Sequence, residues 1–168
     1  ANPRVARVLD LAASKASWGS AVPAGRARGV AVHESFGSIC AQVAEVSLNG
    51  NDIRVHKVIA AFDCGLVVNP LTVEAQLQGA IAFGLSGALF GEITFKDGRV
   101  EQSNFHDYRV LRMNEMPRVE VFLVPGGERP TGVGEPGTPP VAPAVANALF
   151  ALTGKRARAL PLASQKWI

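Results

Sequence analysis

The sequence is short of the residues that mark several common protein classes. It has two cysteines and one tyrosine, and 18% of its 168 residues are charged. Cys40 and Cys64 lack the CxxC spacing of a metal site and stand in apolar, strand-like segments, so we expect two buried thiols and no metal ligands. No apolar run approaches the roughly 20 residues of a membrane-spanning helix. These absences argue against a disulfide framework and against a membrane span.

The charge balance is also modest. The net charge is +3, and the basic residues near the C-terminus do not alternate with aromatic residues (Lys155, Arg156, Arg158 and Lys166). This pattern argues against nucleic-acid binding. Hydrophobic residues make up 48% of the sequence, which is enough to form a sizeable core in one globular domain.

Three segments carry the signals of α-helices. Asn2-Pro3 and Asn69-Pro70 each place a capping residue before a proline at the first helical position. A third, almost wholly apolar segment leads to Gly154, a residue suited to terminating a helix. The predicted helices cover residues 2–17, 69–89 and 142–152.

The remaining apolar segments favour β-strands. Alternation predicts β-structure from residue 29 to residue 48, with Gly37 as a bulge or bend. A turn at 49–52 then gives an antiparallel hairpin from Ala41 to Cys64. A short hairpin at 92–102 and a strand at 117–124 follow, without a repeating βαβ unit. The order of elements predicts an α+β fold with a mixed, mostly antiparallel sheet packed with helices.

The best candidate for chemistry is Glu135, in the glycine- and proline-rich segment from Gly132 to Pro140. Gly132 and Gly134 allow close approach of the backbone to a ligand, and the prolines restrict the exit from the loop. The segment therefore suits a fixed carboxylate. It also fits an ordinary strand-to-helix connection with a solvated glutamate, because short glycine motifs are weakly specific.

The second predicted helix is unusual in its composition. It contains Gly79, Gly84 and Gly87, and an interior glycine costs about 1 kcal/mol relative to alanine. Close packing against protein or against a cofactor would account for them. Gln76 and Gln78 each carry an amide able to hydrogen-bond a polar ligand, and either position also fits solvent exposure.

The three histidines receive no catalytic role from the sequence. His106 belongs to a polar and aromatic stretch, residues 103–108, which suits the lining of a pocket. His106 by itself is better explained as a structural, hydrogen-bonded residue. His33 and His56 lie on separate predicted strands without a carboxylate or cysteine at ligand spacing.

Several motifs together resemble the C-terminal part of the molybdopterin-binding large subunit of the xanthine dehydrogenase and aldehyde oxidase family. The resemblance is strongest to the isoquinoline 1-oxidoreductase beta-subunit branch. It rests on segments that occur in the family's order: Asp63-Cys64-Gly65 with Asn69-Pro70, Ala75 to Gly79, Phe83 to Ser86, Ser103 to Tyr108, and Gly132 to Pro136.

The resemblance implies a molybdenum hydroxylase, an oxidoreductase of the isoquinoline 1-oxidoreductase or aldehyde dehydrogenase type. Glu135 would be the general base that takes a proton from a water-derived ligand of molybdenum, and the oxygen would then attack an N-heterocycle or an aldehyde. Gln76, Gly132 and Gly134 would contact the molybdopterin, in a dinucleotide form. A base needs a fixed position and a suitable pKa, and a tight loop beside a buried helix is expected to provide fixation and partial desolvation.

The resemblance also implies partners. Residues 1–168 would be a single domain, the C-terminal portion of a longer subunit, and would work with the remainder of that subunit and a 2Fe-2S small subunit. Because most of the cofactor site would lie elsewhere, the chain alone is expected to be inactive. Bacterial cytoplasm and periplasm both remain open.

The sequence departs from the family in one motif. In xanthine oxidase-like members two prolines directly follow the glutamate, whereas Pro136-Gly137-Thr138 precedes Pro139-Pro140 here. This form fits the isoquinoline branch. The alternative to an enzyme is a binding or assembly module that keeps the fold without the cofactor.

Overall fold

Residues 2–168 are described by a computed structural model. In chain order the helices and strands are α1 (Pro3–Lys15), β1 (Arg26–Ser35), β2 (Ser38–Asn49), β3 (Asp52–Asp63), α2 (Pro70–Leu89), β4 (Phe95–Lys96), β5 (Arg99–Val100), β6 (Arg118–Leu123) and α3 (Val141–Thr153). Two short 3-10 turns, Met113–Glu115 and Leu162–Ser164, complete the secondary structure of this part of the chain.

The main sheet has four strands in the order β1-β2-β3-β6. The first three form an antiparallel meander, whereas β6 runs parallel to β3, with Lys57 opposite Arg118. A parallel pair requires a crossover, and this crossover contains α2 and the β4–β5 hairpin. The predicted mixed, mostly antiparallel α+β fold is therefore confirmed.

The prediction of a bulge or bend at Gly37 was wrong, because the chain reverses its direction there. Phe36 and Gly37 have φ values of +55° and +76°, and Ser35 pairs directly with Ser38. Two central residues with positive φ are typical of a tight two-residue hairpin turn. The predicted hairpin from Ala41 to Cys64 is present as β2 and β3, but it is the second of two consecutive hairpins.

Helices cover both faces of the sheet. On one face, Val8 and Ala12 of α1 pack against alternate β2 residues such as Ala41. On the other face, α2 and α3 pack against the intervening residues, including Cys40 and Ala44. The alternation of β2 side chains between two covered faces explains why residues 38–44 of this strand are all buried.

The contact between α3 and β1 depends on Gly29. A Cβ atom at this position would lie 2.2 Å from the Ala144 carbonyl oxygen and 2.2 Å from the Ala148 nitrogen. No side chain fits in that space, so the helix can approach the strand only because residue 29 is glycine. α3 therefore covers the middle of β1, and other elements contact the C-terminal end of this strand.

The helix ends follow the signals in the sequence. The Asn2 side chain accepts a hydrogen bond from the Arg4 nitrogen, and Asn69 accepts one from the Thr72 nitrogen at 3.1 Å. Gly154 ends α3 in the left-handed conformation, with φ at +72°. Each signal acts through local hydrogen bonds or backbone conformation, which is why the three helices were predicted correctly.

The cysteines are buried, as expected from the sequence. Cys40 and Cys64 are buried, free thiols, and burial raises the pKa of Cys40 to about 12.

Trp167, near the C-terminus, is buried, and its backbone nitrogen donates a 2.7 Å hydrogen bond to Asn51. Within residues 2–168, no helix combines the length and hydrophobicity needed to cross a membrane.

A buried carboxylate joins α1 to the end of β3. The Asp63 side chain is 2% exposed, and both of its oxygens accept hydrogen bonds from Arg4 at 3.0 Å. The Gly65 nitrogen donates a further hydrogen bond of 3.0 Å to Asp63. The pKa of Asp63 is lowered, chiefly by the hydrogen bond from Arg4.

Replacement of Asp63 with Asn should lower the free energy of unfolding at pH 7 by about 2 kcal/mol, because charge-assisted hydrogen bonds are lost. A carboxylate with a lowered folded-state pKa stabilises fully above its unfolded pKa of about 3.9, and this stabilisation disappears as the pH falls through the folded value. Urea unfolding followed by circular dichroism should show the difference between variant and wild type shrinking below about pH 4.

Asp10→Asn, on the exposed side of α1, is the control and should leave the unfolding free energy nearly unchanged. Equal unfolding free energies of Asp63→Asn and wild type at pH 7 would contradict the stabilising role of the Asp63 carboxylate.

Candidate functional site

Three elements meet around a cavity of about 690 Å³. One wall is the end of β1 with the following turn, another is one face of α2, and the third is the segment 132–140, called here the Glu135 loop. The lining residues are His33, Ser35 and Phe36 from the first wall, Gln76, Gly79, Ala80 and Phe83 from the second, and Gly134, Glu135, Thr138 and Pro139 from the third.

The α2 wall presents one polar side chain followed by small residues and an aromatic ring. Gln76, Gly79, Ala80 and Phe83 are spaced by three, four and seven residues, so they share one face of the helix. Gln76 is exposed, and its amide has no hydrogen-bond partner among residues 2–168. Gln78 instead donates to Glu74 at 3.2 Å. The structure therefore separates the two amides, which composition and spacing left equivalent and of which the family resemblance favoured Gln76.

The three glycines of α2 serve different purposes. A Cβ atom at Gly84 would lie 2.7 Å from Val141 Cγ1 and 2.9 Å from the Thr138 carbonyl oxygen. Close packing explains this glycine. A Cβ atom at Gly79 or Gly87 would have no neighbouring atom within 4 Å. Of these two glycines, only Gly79 lines the cavity. Tight packing within the protein therefore accounts for one of the three.

The Glu135 loop is held on one side by β2 and the turn before it. Ser38 donates a 2.6 Å hydrogen bond to the Gly132 carbonyl oxygen, and the Gly132 nitrogen donates to the Phe36 carbonyl oxygen at 3.1 Å. Further along, Gln42 Nε2 donates to the Gly137 carbonyl oxygen at 2.7 Å. Side chains of β2 thus bind the loop before and after Glu135.

On its other side the loop contacts α2. Thr138 Oγ1 donates to the Ala80 carbonyl oxygen at 3.2 Å, and the Thr138 nitrogen donates to the Glu135 carbonyl oxygen at 2.9 Å. A Cβ atom at Gly137 would lie 3.0 Å from Ala80 Cβ. Together with the hydrogen bonds from β2 and the turn, these contacts fix the backbone on both sides of the glutamate.

Glu135 itself is exposed in this chain. The predicted fixation of the loop agrees with its hydrogen bonds. The predicted partial desolvation of the carboxylate was wrong for this chain alone, because α3 begins after the loop and does not cover the glutamate side chain.

Of the other candidates, Gly134 lines the cavity and Gly132 does not. A Cβ atom at Gly134 would lie 4.0 Å from Gln76 Nε2, so the loop and α2 are neighbours here. At Gly132 a Cβ atom would lie 2.5 Å from Phe36 Cβ. The contact with Phe36 therefore requires a glycine at 132 without reference to a ligand.

The stretch 103–108 is not brought to this cavity. Ser103, Asn104, Phe105 and Tyr108 line a different depression with Ile93 and Gln102. His106 is exposed and lies 3.4 Å from Asp107. The Asp107 carboxylate accepts hydrogen bonds from the Ser103 and Asn104 nitrogens, so it organises the loop locally.

Part of the cavity wall was not predicted from the sequence. His33 received no role, yet it lines the cavity beside Ser35. Phe36 and Phe83 also line it, with 65% and 75% of their surfaces exposed. The spacing of seven residues between Gln76 and Phe83 places both on one face of α2 and could have predicted Phe83 in the wall. Placing His33 and Phe36 there required recognising that the chain turns at Gly37. In the described part of the chain, no group of three His, Cys, Asp or Glu side chains is placed to hold a metal ion.

Residues 10–117 match the family model for the molybdopterin cofactor-binding domain. The chain belongs to this family. The match covers β1, β2, β3, α2 and the β4–β5 hairpin, but it ends before β6 and the Glu135 loop, which lie outside the range of the family model.

The chain is 36% identical over 166 residues to the isoquinoline 1-oxidoreductase subunit beta of Brevundimonas diminuta, covering 96% of the chain and 21% of that protein. It is 31% identical over 170 residues to the membrane-bound aldehyde dehydrogenase [pyrroloquinoline-quinone] of Gluconacetobacter polyoxogenes, covering 95% and 22%. The chain thus spans about a fifth of the length of these relatives.

A solved structure shares the fold. The aldehyde oxidoreductase from Desulfovibrio desulfuricans superposes with a TM-score of 0.64 and 26% identity, over 74% of this chain and 14% of that protein. The family resemblance seen in the sequence motifs is therefore confirmed, and so is molybdopterin as the cofactor of the family.

Proposed function

We propose that residues 1–168 are one domain of a longer molybdenum hydroxylase subunit and carry the proton acceptor of its active site. The complete subunit would oxidise an N-heterocycle or an aldehyde with oxygen derived from water. The observation that carries the proposal is that Glu135 and Gln76, far apart in sequence, line the same cavity. The volume of the cavity suits a small-molecule site. The names of two relatives, an isoquinoline 1-oxidoreductase subunit and an aldehyde dehydrogenase, support the heterocycle and aldehyde substrate classes.

The residues around Gln76 fit a molybdopterin. The Gln76 amide is free to donate and accept hydrogen bonds, and the pterin ring system is rich in both kinds of group. Beside it, Gly79 has no side chain and open space above it, so a flat ring system can approach the helix. Gly134 adds backbone surface to the same region. The bound cofactor supplies the metal centre that accepts the two electrons removed from the substrate.

Glu135 is the group we assign to proton transfer. General bases must stand within hydrogen-bond reach of the proton that they accept. The bonds that hold residues 132 and 137 limit the positions open to the carboxylate between them, which lowers the entropy lost on reaching the reactive arrangement. Segments outside this chain would exclude water from the carboxylate, and a 2Fe-2S subunit would remove the electrons.

The first test replaces Glu135 with Gln in the full-length subunit assembled with its partners. The amide keeps the size of the side chain but cannot accept the proton, so kcat/KM should fall by about 100-fold or more. Turnover of isoquinoline and of an aromatic aldehyde would be followed with an artificial electron acceptor, and molybdenum content should stay unchanged.

Glu128→Gln is the matched control, because Glu128 is exposed and outside the cavity lining. It should retain wild-type turnover. Wild-type turnover by Glu135→Gln at normal molybdenum content would remove the general-base assignment.

The second test concerns the cofactor. Gln76→Ala should lower the molybdenum and pterin content of the purified enzyme, because each hydrogen bond from the amide to the ring system is lost. Gln78→Ala should leave that content unchanged, since its amide bonds to Glu74. Metal analysis and pterin fluorescence measure both variants, and equal loading of the two would contradict a role for Gln76.

The third test uses residues 1–168 alone. We expect this chain to fold but to retain no stoichiometric molybdenum and to show no turnover, because three cavity walls do not enclose a cofactor. Circular dichroism would establish folding, and metal analysis would follow expression with the cofactor available. One molybdenum per folded chain would contradict the proposal that most of the site lies elsewhere.

A further inference from the structure

Three polar residues are buried in the described part of the chain, and two of them lie on β2. These are Ser38 and Gln42, each with no exposed surface, while the third is Asp63. Ser38 and Gln42 are separated by four residues, so they point to the same face of the strand. That face is otherwise apolar, with Cys40 between them and Ala44 beyond.

Both side chains donate to the Glu135 loop. Ser38 Oγ donates to the Gly132 carbonyl oxygen at 2.6 Å and lies 2.6 Å from Thr131 Oγ1. Since the Ser38 hydroxyl has one proton, Thr131 acts as the donor in that second contact. Gln42 Nε2 donates to the Gly137 carbonyl oxygen at 2.7 Å. The two bonded carbonyls stand three residues before and two residues after Glu135.

The energetics of Gln42 favour a functional reason for the residue. Its Oε1 atom is buried and has no hydrogen-bond partner among residues 2–168, and a buried polar atom without a partner is unfavourable. A methionine would fill similar space without this cost. Stability alone therefore does not explain a glutamine here, whereas the bond from Nε2 to Gly137 does.

We propose that Ser38 and Gln42 are positioning residues for the proton acceptor, fixing both ends of the segment that carries Glu135. This proposal rests on the proposed function of Glu135. The two donors come from one rigid strand in the middle of a sheet, so their spacing does not change as the loop moves. A displacement of about 1 Å at a reacting group can cost about 100-fold in rate.

The test is Gln42→Met in the assembled enzyme. We expect kcat to fall by about 10- to 100-fold, with KM, molybdenum content and the unfolding temperature close to wild type. Stability should change little, because the loss of the donor to Gly137 is offset by removal of the unpartnered Oε1. Gln78→Met makes the same chemical change on α2, outside the cavity lining, and should keep wild-type kcat.

A double variant separates positioning from a general structural role. If Gln42 acts through Glu135, then adding Gln42→Met to Glu135→Gln should lower the residual rate no further, because the two residues act as a unit. A purely structural effect would reduce the residual rate by the same factor as in the wild-type background, and would contradict the proposal.

Ser38→Ala, which removes a single oxygen atom, provides the second variant. It should also lower kcat at unchanged KM, and it decides the question if Gln42→Met impairs folding. Wild-type kcat in the folded variants contradicts the positioning role while leaving Glu135 as the base. Wild-type turnover by Glu135→Gln would instead contradict the proposed function itself.

Discussion

The contact between the β1–β2 turn and the start of the Glu135 loop is the constraint on which the candidate site depends. It combines a backbone hydrogen bond from Gly132 to Phe36 with the bond from Ser38 to Gly132. The contact joins two of the three cavity walls. The turn lies at the end of a sheet whose other face is covered by α1, so the sheet fixes the position of the turn. The turn in turn fixes the position of the Glu135 loop.

The location of the cavity follows from how the helices cover the sheet. Gly29 allows α3 to lie directly on the middle of β1, and α3 begins at Val141, just after the Glu135 loop. The strand continues beyond the helix, so His33 and Ser35 are left without a helical cover. The cavity is thus the space between the uncovered end of β1, the loop that enters α3, and α2.

Features governed by neighbouring residues were predictable from the sequence, and features governed by distant contacts were not. Asn69 and Gly154 mark helix ends through bonds or conformations within a few residues, and both were predicted correctly. The turn at Phe36 was missed because phenylalanine is unusual at positive φ, where asparagine and glycine predominate. Composition and spacing could not separate Gln76 from Gln78, since the face of α2 that meets the cavity is set by residues far along the chain, and only the family resemblance favoured Gln76.

The length of chain between the bonded groups has a consequence for folding. Ser38 and Gly132 are 94 residues apart, and Gln42 and Gly137 are 95 apart. Such non-local contacts form only after the intervening crossover has closed, which makes their formation slow and cooperative with the sheet. A molecule that binds across the cavity therefore acts on the whole fold by mass action: it raises the unfolding temperature of strands that it never touches.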